Sequence, residues 1–375
     1  MKIAVNTRFL LPQHLEGIGR FTWEVGKRLA ARYPQHTFLF LFDRPYDARF
    51  VPTDNVVPIV VNPPARHPLL WYLWFEWAIP RVLARHQADV FLSMDGYCSL
   101  AAKTPTVMVA HDIAFVHYPG QIPALVRRYY RFFAPRYLQR ADALLTVSDF
   151  CRTDIAAQYH IPASDIGLTC NAASPVFQPL SEQEQRTVRE EYNAGRPYFF
   201  YVGAVHPRKN LVRLIAAFDQ FKTQTGAEVD LLIGGRMAWQ TGDIKWAWDA
   251  AHHRQNIRFL GYISDETLPK ITAAAFGLVY VSLFEGFGVP LLEAMQAGVP
   301  VITSNVTSLP EVAGDAAVLV NPTDVAAIAE AMQQLWEEDD LRQTFVQKGL
   351  LRAQYYTWER ATDAVAQAIR TIVTL

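Results

Sequence analysis

The chain has 375 residues, 51% hydrophobic and 19% charged, with a formal net charge of −1 at pH 7; these values exclude a disordered chain and suit a globular protein of two domains. Its cysteines, Cys98, Cys151 and Cys170, include no Cys-x-x-Cys pair, which argues against a disulfide framework and a zinc site and favours a reducing cytoplasm. No apolar stretch approaches the roughly 20 residues that span a bilayer, and the N-terminus lacks the apolar core of a signal peptide, so we expect a cytoplasmic protein.

The first half of the chain alternates short apolar runs with longer amphipathic segments, which is typical of an α/β sheet. Strands are predicted at residues 1–5, 38–42, 56–61, 89–92, 106–110 and 143–147. A helix with apolar residues at Phe21, Val25 and Leu29 follows the first strand. Gly17 and Gly19 open this helix, either as an anion site or as a plain helix-opening turn. A dinucleotide fingerprint fits less well, because these glycines lie about a dozen residues beyond the strand.

Two aromatic-rich segments of this half are candidates for contact with a membrane. Residues 69–81 are apolar on nearly all sides and rich in tryptophan, which is typical of a buried helix or, if partly exposed, of a membrane interface. Residues 125–140 interleave five arginines with aromatic rings at helical spacing. That pattern suits anionic headgroups, and it equally suits a solvated basic face whose rings are core. Nucleic acid is the other candidate for this pattern, and we expect no nucleic-acid partner, because the segment is isolated in a nearly neutral chain and no nucleic-acid-binding motif accompanies it.

His111 and Asp112 directly follow the strand predicted at 106–110. Ligands meet side chains at the carboxyl ends of strands in doubly wound sheets, so His111 is placed for chemistry. The alternative is a structural histidine that Asp112 orients. An irregular, proline-bearing segment at 170–180 is predicted to connect the two domains.

The α/β alternation restarts in the second half, with strands predicted at 198–202, 230–233, 257–260 and 278–281. Gly203 follows the first of these strands, and Arg208 and Lys209 come next, beside a helix start at which Asn210 is the predicted cap. A guanidinium fork and a point charge beside a helix start are suited to binding a diphosphate. Two exposed cations without a ligand are the alternative.

Residues 282–298 form a predicted strand end, glycine turn and helix. Gly286 and Gly288 let backbone amides approach a ligand closely, and the helix N-terminus adds partial positive charge, so the turn suits a phosphate or sugar phosphate. Glu285 precedes the turn and Glu293 lies near the helix start, and two carboxylates at an anion site indicate recognition of hydroxyl groups. The structural alternative is a solvated Glu285 and a Glu293 that stabilises the helix dipole.

Residues 285–293, together with the segments 297–304 and 309–314, resemble the Glu-x7-Glu region of the family 4 glycosyltransferases, retaining enzymes of the GT-B fold. Residues 109–115 are similar to the active-site histidine segment of that family. The resemblance implies an α/β architecture of two Rossmann-like, doubly wound domains that face each other across a cleft. The expected parts are an acceptor-binding domain at 1–175, a nucleotide-sugar-binding domain at 176–355 and a C-terminal helix at 356–375 that crosses back to the first domain.

The resemblance also implies roles for individual residues. Glu285 would contact the transferred sugar near its reacting carbon, Glu293 would bind the ribose, and His111 would be the second catalytic residue. The residues implied for donor binding are Gly17, Gly19, Gly203, Arg208, Lys209, Tyr262, Ile263, Gly286, Phe287, Gly288, Val289 and Glu293. Many members carry an arginine where this chain has Ala204, so Arg208 is expected to take over that role.

The implied activity is transfer of a hexose, with mannose as first candidate, from a nucleotide sugar to a glycan or lipid-linked acceptor. No Asp-x-Asp occurs in the sequence, and Arg208, Lys209 and helix N-termini are suited to hold the diphosphate, so we expect neither a metal nor a cofactor. Peripheral contact with an anionic membrane on its cytoplasmic face is a further expectation. A nicotinamide-dependent oxidoreductase and a non-catalytic sugar-nucleotide-binding protein are the alternatives. Front-face attack is favoured over a covalent intermediate on Glu285, because no second acid is evident beside it.

Overall fold

The computed structural model describes residues 1–11, 15–236 and 242–373. These residues form two compact units, one made of Met1–Asn171 and the segment from Thr357 onward, the other of Ala172–Tyr356. Each unit is built on a parallel sheet with helices packed against it. The fold class is therefore α/β with two Rossmann-like units, as predicted.

The sheet of the first unit has the strand order β3-β2-β1-β4-β5-β6-β7. Its strands are β1 (Lys2–Asn6), β2 (Thr37–Phe42), β3 (Val56–Val60), β4 (Val90–Ser93), β5 (Thr106–Ala110), β6 (Ala143–Thr146) and β7 (Ile166–Leu168). Its helices up to residue 171 are α1 (Gly17–Arg32), α2 (Pro68–Leu73), α3 (Ile79–His86), α4 (Ala114–His117), α5 (Ala124–Arg140) and α6 (Asp149–Tyr159). A π-helical turn, Trp74–Ala78, joins α2 to α3. The order of the strands reverses between β1 and β4, which makes that position a topological switch point.

The hydrophobic pattern explains these elements. The strands are apolar without alternation because helices cover both faces of a parallel sheet, and Val107, Met108 and Val109 of β5 are fully buried. Helix α1 buries Phe21 and Val25, spaced by one turn, as its sequence predicts. Strand β7 was not predicted, because its three residues are too few to form a recognisable apolar run.

The sheet of the second unit has the strand order β10-β9-β8-β11-β12-β13. Its strands are β8 (Tyr198–Val202), β9 (Asp230–Gly234), β10 (Ile257–Gly261), β11 (Gly277–Tyr280), β12 (Val301–Ser304) and β13 (Val318–Val320). Its helices are α7 (Glu182–Asn193), α8 (Leu211–Thr225), α9 (Gly242–Ala250), α10 (Leu268–Ala273), α11 (Val289–Gln296), α12 (Leu309–Ala313), α13 (Val325–Glu337) and α14 (Asp339–Tyr355). The strand order is that of a dinucleotide-binding Rossmann sheet, with its switch point between β8 and β11.

The last helix, α15 (Trp358–Ile372), belongs to the first unit, where it packs on α1 and on β5, β6 and β7. Trp358 meets Phe21 edge to face at 6.2 Å, and the hydroxyl of Thr169 donates to the carbonyl of Ala361. Arg28 adds an ion pair with Glu359 at 2.9 Å. The last two residues of the predicted C-terminal helix, 374 and 375, lie outside the described residues.

Within the described ranges, no helix is both long enough and apolar enough to cross a bilayer.

Candidate active site

The switch point of the second sheet brings two loops together at the carboxyl edge of neighbouring strands. One loop follows β8 and carries Arg208 and Lys209; the other follows β11 and carries Glu285. The amide of Leu283 donates to the carbonyl of Arg208 at 2.9 Å, which ties the loops to each other. Strand pairing therefore places residues more than seventy positions apart side by side, at the carboxyl edge of the sheet where open α/β sheets bind their ligands.

A buried polar cluster lies where these loops meet. The ammonium of Lys209 lies 2.5 Å from Oε1 of Glu285 and 2.9 Å from the hydroxyl of Tyr280. The Tyr280 hydroxyl donates to the same carboxylate oxygen at 2.9 Å. The side chains of Lys209 and Glu285 are only 12% and 10% exposed, so the ion pair is largely shielded from water.

The charges of this cluster fix the ionisation of Glu285. Burial acts to raise the pKa of its carboxyl group, but the nearby Lys209 and Arg208 charges outweigh burial, and the pKa lies below its ordinary value. Glu285 is therefore a carboxylate at neutral pH. The two structural alternatives, a solvated Glu285 and a pair of exposed cations, do not describe these side chains.

Arg208 and Asn210 form hydrogen bonds with the backbone around Glu285. Nη1 of Arg208 donates to the carbonyl of Phe284 at 3.0 Å. Asn210 does precede α8, but the prediction that its side chain caps this helix is wrong. Its amide donates instead to the carbonyls of Val281 and Pro322, at 2.9 and 2.7 Å. A left-handed backbone, with φ of 63°, turns the Asn210 side chain away from the helix start.

The glycine turn of residues 286–288 is fixed by the loop that follows β12. The hydroxyl of Ser308 lies within hydrogen-bond distance of the carbonyls of Glu285 and Phe287, at 2.9 and 3.1 Å. Gly288 has φ of 101°, and a Cβ there would come within 2.6 Å of Leu309, so only glycine fits before α11. The amide of Glu285 donates to the hydroxyl of Thr307. Thr307 itself is in the left-handed region, at φ of 61°, which is strained for a β-branched residue and is typical of functional sites.

Glu293 is the fifth residue of α11 and is 7% exposed. A carboxylate gains most from the helix dipole within the first turn of a helix, and Glu293 lies beyond that turn. The dipole alternative therefore gives little reason for a buried carboxylate here, and contact of Glu293 with ribose stays a prediction.

Other donor-binding candidates lie at the carboxyl ends of β8 and β10, on the side of the sheet away from β11. Gly203 and Gly235 follow β8 and β9, and a Cβ on Gly235 would lie 1.7 Å from the carbonyl oxygen of Gly203, so the two backbones touch. After β10, Tyr262 is 53% exposed, while Ile263 packs over Gly234. The guanidinium of Arg236 lies 5.7 Å from the Tyr262 ring. The structure thus brings Gly203, Tyr262 and Ile263 to one edge.

His111 lies at the corresponding edge of the first sheet, after β5. Its Nε2 lies 2.9 Å from the carbonyl oxygen of Met94, and because a carbonyl only accepts, Nε2 carries the proton. Phe21 meets the imidazole edge to face at 5.0 Å. Burial lowers the pKa of His111, which favours a neutral ring whose Nδ1 is an acceptor. His111 is thus suited to orient a hydroxyl group.

A cavity of about 150 Å³ adjoins His111 within the first unit. It is lined by Ile18, Asp95, Gly96, Tyr97, Ala110, His111, Asp112, Ile113, Phe115, Tyr129, Tyr130, Ala134, Tyr137 and Leu138. Ile18 lies between Gly17 and Gly19, so the start of α1 reaches this cavity. A Cβ on Gly19 would lie 2.4 Å from the carbonyl oxygen of Phe9, whereas Gly17 has open space around it. Chain packing therefore accounts for Gly19, and anion binding by either glycine stays a prediction.

Sequence reasoning missed the ion pair of Arg8 with Asp95, a residue that lines this cavity. Arg8 follows β1 and Asp95 follows β4, the neighbouring strands at the switch point of the first sheet, and their side chains meet at 2.6 Å with exposures of 4% and 2%. Tyr280, Thr307 and Ser308 were missed as well. Only the strand order could have revealed the Arg8 contact, because its partner is 87 residues away.

In the part of the chain that the structure describes, no group of three or more His, Cys, Asp or Glu side chains is arranged to hold a metal ion.

The described residues thus form two doubly wound units, one of which carries a cationic pair and a carboxylate at its switch point, an arrangement suited to an anionic, hydroxyl-bearing ligand. The family comparisons specify the class. Residues 15–175 match the sequence model of Glycosyltransferase Family 4, and residues 182–352 match that of Glycosyl transferases group 1. The chain belongs to glycosyltransferase family 4 and is a glycosyltransferase of the GT-B fold.

Similar proteins agree with this assignment. O-antigen chain mannosyltransferase B of Escherichia coli is 34% identical over 96% of this chain and 97% of its own length. O-antigen chain mannosyltransferase RfbU of Salmonella typhimurium is 26% identical over 77% of each chain. Among solved structures, sucrose-phosphate synthase from Thermosynechococcus elongatus superposes with a TM-score of 0.79 at 20% identity, covering 99% of this chain and 98% of that one. Family membership removes the oxidoreductase and the non-catalytic binding protein as alternatives.

Proposed function

We propose that the chain is a retaining mannosyltransferase that moves mannose from a nucleotide sugar to a lipid-linked glycan, without a metal ion. The observation that carries the reaction is the Lys209–Glu285 pair at the switch point of the second sheet. Mannose and a glycan acceptor are supported by the relative that is 34% identical over nearly the whole of both chains, an O-antigen chain mannosyltransferase.

The donor-binding candidates have a spacing that suits a nucleotide sugar. Tyr262 and Ile263 follow β10, and Glu285 follows β11, which is three strands away in the sheet. Three strand spacings amount to about 14 Å, the scale of a nucleoside diphosphate. In this proposal the base lies at Tyr262 and Ile263, the diphosphate crosses the β8 edge, and the sugar reaches Glu285.

The charged residues then have distinct roles in bond breaking. The bond between the anomeric carbon and the diphosphate oxygen breaks while a bond from the acceptor oxygen to that carbon forms on the same face. The acceptor proton passes to the departing diphosphate. Arg208, Lys209 and the N-terminal amides of α11 stabilise the negative charge that develops there. The ionised Glu285 stabilises the positive charge at the sugar.

Metal independence rests in this proposal on the two cations. An ammonium carries three N–H donors, so Lys209 can contact Glu285 and a phosphate oxygen together. Arg208 supplies a second cation, and its charge also lowers the pKa of Glu285. In the first unit, His111 is the proposed ligand of a sugar hydroxyl, because its Nδ1 is an acceptor when Nε2 is bonded to Met94.

A panel of GDP-, UDP- and dTDP-sugars tests the proposed donor by thermal unfolding. A ligand at 100 times its dissociation constant stabilises the native state by about 2.7 kcal/mol, which for a unit of this size raises Tm by roughly 5–10 °C. We expect the mannose-bearing member to give the largest shift and to support transfer in the presence of EDTA, with the donor's anomeric configuration kept in the product. Loss of transfer in EDTA, or an inverted product, would contradict the proposed mechanism.

We also propose that the first unit binds an anionic membrane surface through α2, the π-helical turn and α5. Leu69, Trp77 and Phe132 are exposed there by 62%, 53% and 51%. A shallow groove on α5 is lined by Ala124, Arg127, Arg128, Arg131, Phe132 and Arg136. Tyr129 and Tyr137 of the same helix are buried, so some of its rings are core and others face outward. Arginines beside exposed rings match anionic headgroups over an acyl boundary.

Charge reversal tests this surface. Each basic residue near an anionic membrane contributes about 1 kcal/mol, so Arg128→Glu with Arg131→Glu should weaken binding to phosphatidylglycerol vesicles at least about 30-fold in co-sedimentation. Arg186→Glu with Lys270→Glu, exposed sites in the second unit, changes the net charge equally and should leave binding near the wild-type value. Equal weakening in both pairs, or equal binding of neutral phosphatidylcholine vesicles, would contradict a specific surface.

A further inference from the structure

A tyrosine hydroxyl connects the two charged groups of the candidate site. Tyr280 is the last residue of β11, and its ring is 2% exposed. Its hydroxyl donates to Oε1 of Glu285 and accepts from the ammonium of Lys209, each at 2.9 Å. Lys209, Glu285 and Tyr280 therefore form a closed triangle of contacts, because Lys209 also reaches the carboxylate directly.

Packing alone does not account for this hydroxyl. An aliphatic side chain would fill a buried strand position without bringing in a polar group that must find a partner. The other buried tyrosines of this sheet use backbone partners: Tyr198 donates to the carbonyl of Ile271 and Tyr201 to that of Ala204. Tyr280 instead bonds with two side chains, both from loops of the site. The strand thus supplies a polar group where Lys209 and Glu285 meet.

Neighbouring groups fix the ring and its proton. The rings of Tyr280 and Tyr201 stack at 5.9 Å with their planes 14° apart, which sets the direction of the hydroxyl. Burial, and then the charge of Glu285, raise the pKa of Tyr280 well above its usual value. The phenol is consequently a neutral hydrogen-bond donor over the whole physiological range.

We propose that Tyr280 is a positioning residue for sugar transfer, which holds the carboxylate of Glu285 in one fixed orientation beside Lys209. This inference rests on the proposed role of Glu285. A carboxylate held by two donors on one oxygen keeps its second oxygen directed to a single position. Losing the phenol leaves Lys209 as the one contact of the triangle, and a flexible ammonium orients a carboxylate poorly.

The experiment is a double-mutant cycle between Tyr280→Phe and Glu285→Gln, with Tyr198→Phe as the matched control. We expect Y280F to lower kcat about tenfold while the donor KM changes less than twofold, because donor binding does not depend on the orientation of the carboxylate. Y198F also removes a buried hydroxyl, and should lower Tm comparably while keeping the wild-type kcat. In the E285Q background, adding Y280F should lower kcat no further, because Tyr280 acts through Glu285.

The outcomes separate this inference from the proposed function. A wild-type kcat in Y280F, or a full tenfold further loss when Y280F is added to E285Q, overturns the positioning role and leaves the role of Glu285 intact. A wild-type rate in E285Q alone overturns the role of Glu285, and the positioning role with it. A kcat loss in Y198F equal to that in Y280F assigns the effect to fold stability and overturns the inference.

Discussion

Replacing Glu285 with glutamine is expected to lower kcat about 100- to 1,000-fold, because the substitution removes the negative charge beside the proposed reacting carbon. The amide oxygen of glutamine still accepts hydrogen bonds from Lys209 and Tyr280, so the fold should be retained, at a lower stability because the buried charge of Lys209 loses its counter-charge. The donor KM should stay within a few-fold of wild type, since the diphosphate is held by other groups. Steady-state kinetics on the purified variant measure both constants.

The control for this variant is Glu330→Gln, which neutralises an exposed carboxylate on α13. It should keep the wild-type kcat. A fully active E285Q would remove Glu285 from the chemistry. A variant that no longer unfolds cooperatively would point instead to a structural role, which near-ultraviolet circular dichroism detects independently of activity.

Replacing Lys209 with methionine should affect both stability and activity. Breaking a buried ion pair by removing one partner typically costs about 3–5 kcal/mol of unfolding free energy, because the other charge is left buried. We expect K209M to lose that order of stability in urea unfolding and to lose most transfer activity, since a cation that stabilises the diphosphate is gone. The double variant Lys209→Met with Glu285→Gln removes both charges of the pair. It should therefore be more stable than K209M alone, and it should remain inactive.

The pH dependence of this stability loss has a definite sign. In the wild type the pKa of Glu285 is lowered, so its contribution to stability is present above the ordinary value of 4.5 and disappears as pH falls through the lower folded value. Removing Lys209 moves that pKa upward. The stability difference between wild type and K209M should therefore shrink as the pH falls below 4.5 toward the lowered pKa of the wild-type carboxyl group. A constant difference across that range would show that the ion pair is not its cause.

The parts of the fold that the sequence predicted are those with a strong local pattern. Strand β8 was predicted at 198–202, its observed bounds, because a buried parallel strand is an uninterrupted apolar run. Helix α7 was not predicted, because its residues are nearly all polar and show no apolar stripe. The capping box of Ser181 and Glu184 at its start was the available signal.

The candidate site was predictable only where its residues share a motif. Glu285 and the glycine turn lie within one short segment, and Arg208 and Lys209 lie within another. Their chemistry can therefore be predicted from neighbouring residues in the sequence. Tyr280 lies inside an apolar run and gives no sign of its hydrogen bonds. Asn210 was placed correctly beside α8, but its bonding partners Val281 and Pro322 are distant in sequence and became neighbours only through the sheet order.

The position of α15 has a consequence for biosynthesis. The ribosome makes residues 1–171 before the second unit, yet Trp358 and its helix, which pack onto the first unit, are synthesised after the second unit. The second unit, by contrast, is a continuous segment that is complete once Tyr356 has emerged. The surface of the first unit that α15 covers therefore stays exposed on the nascent chain while the entire second unit is translated.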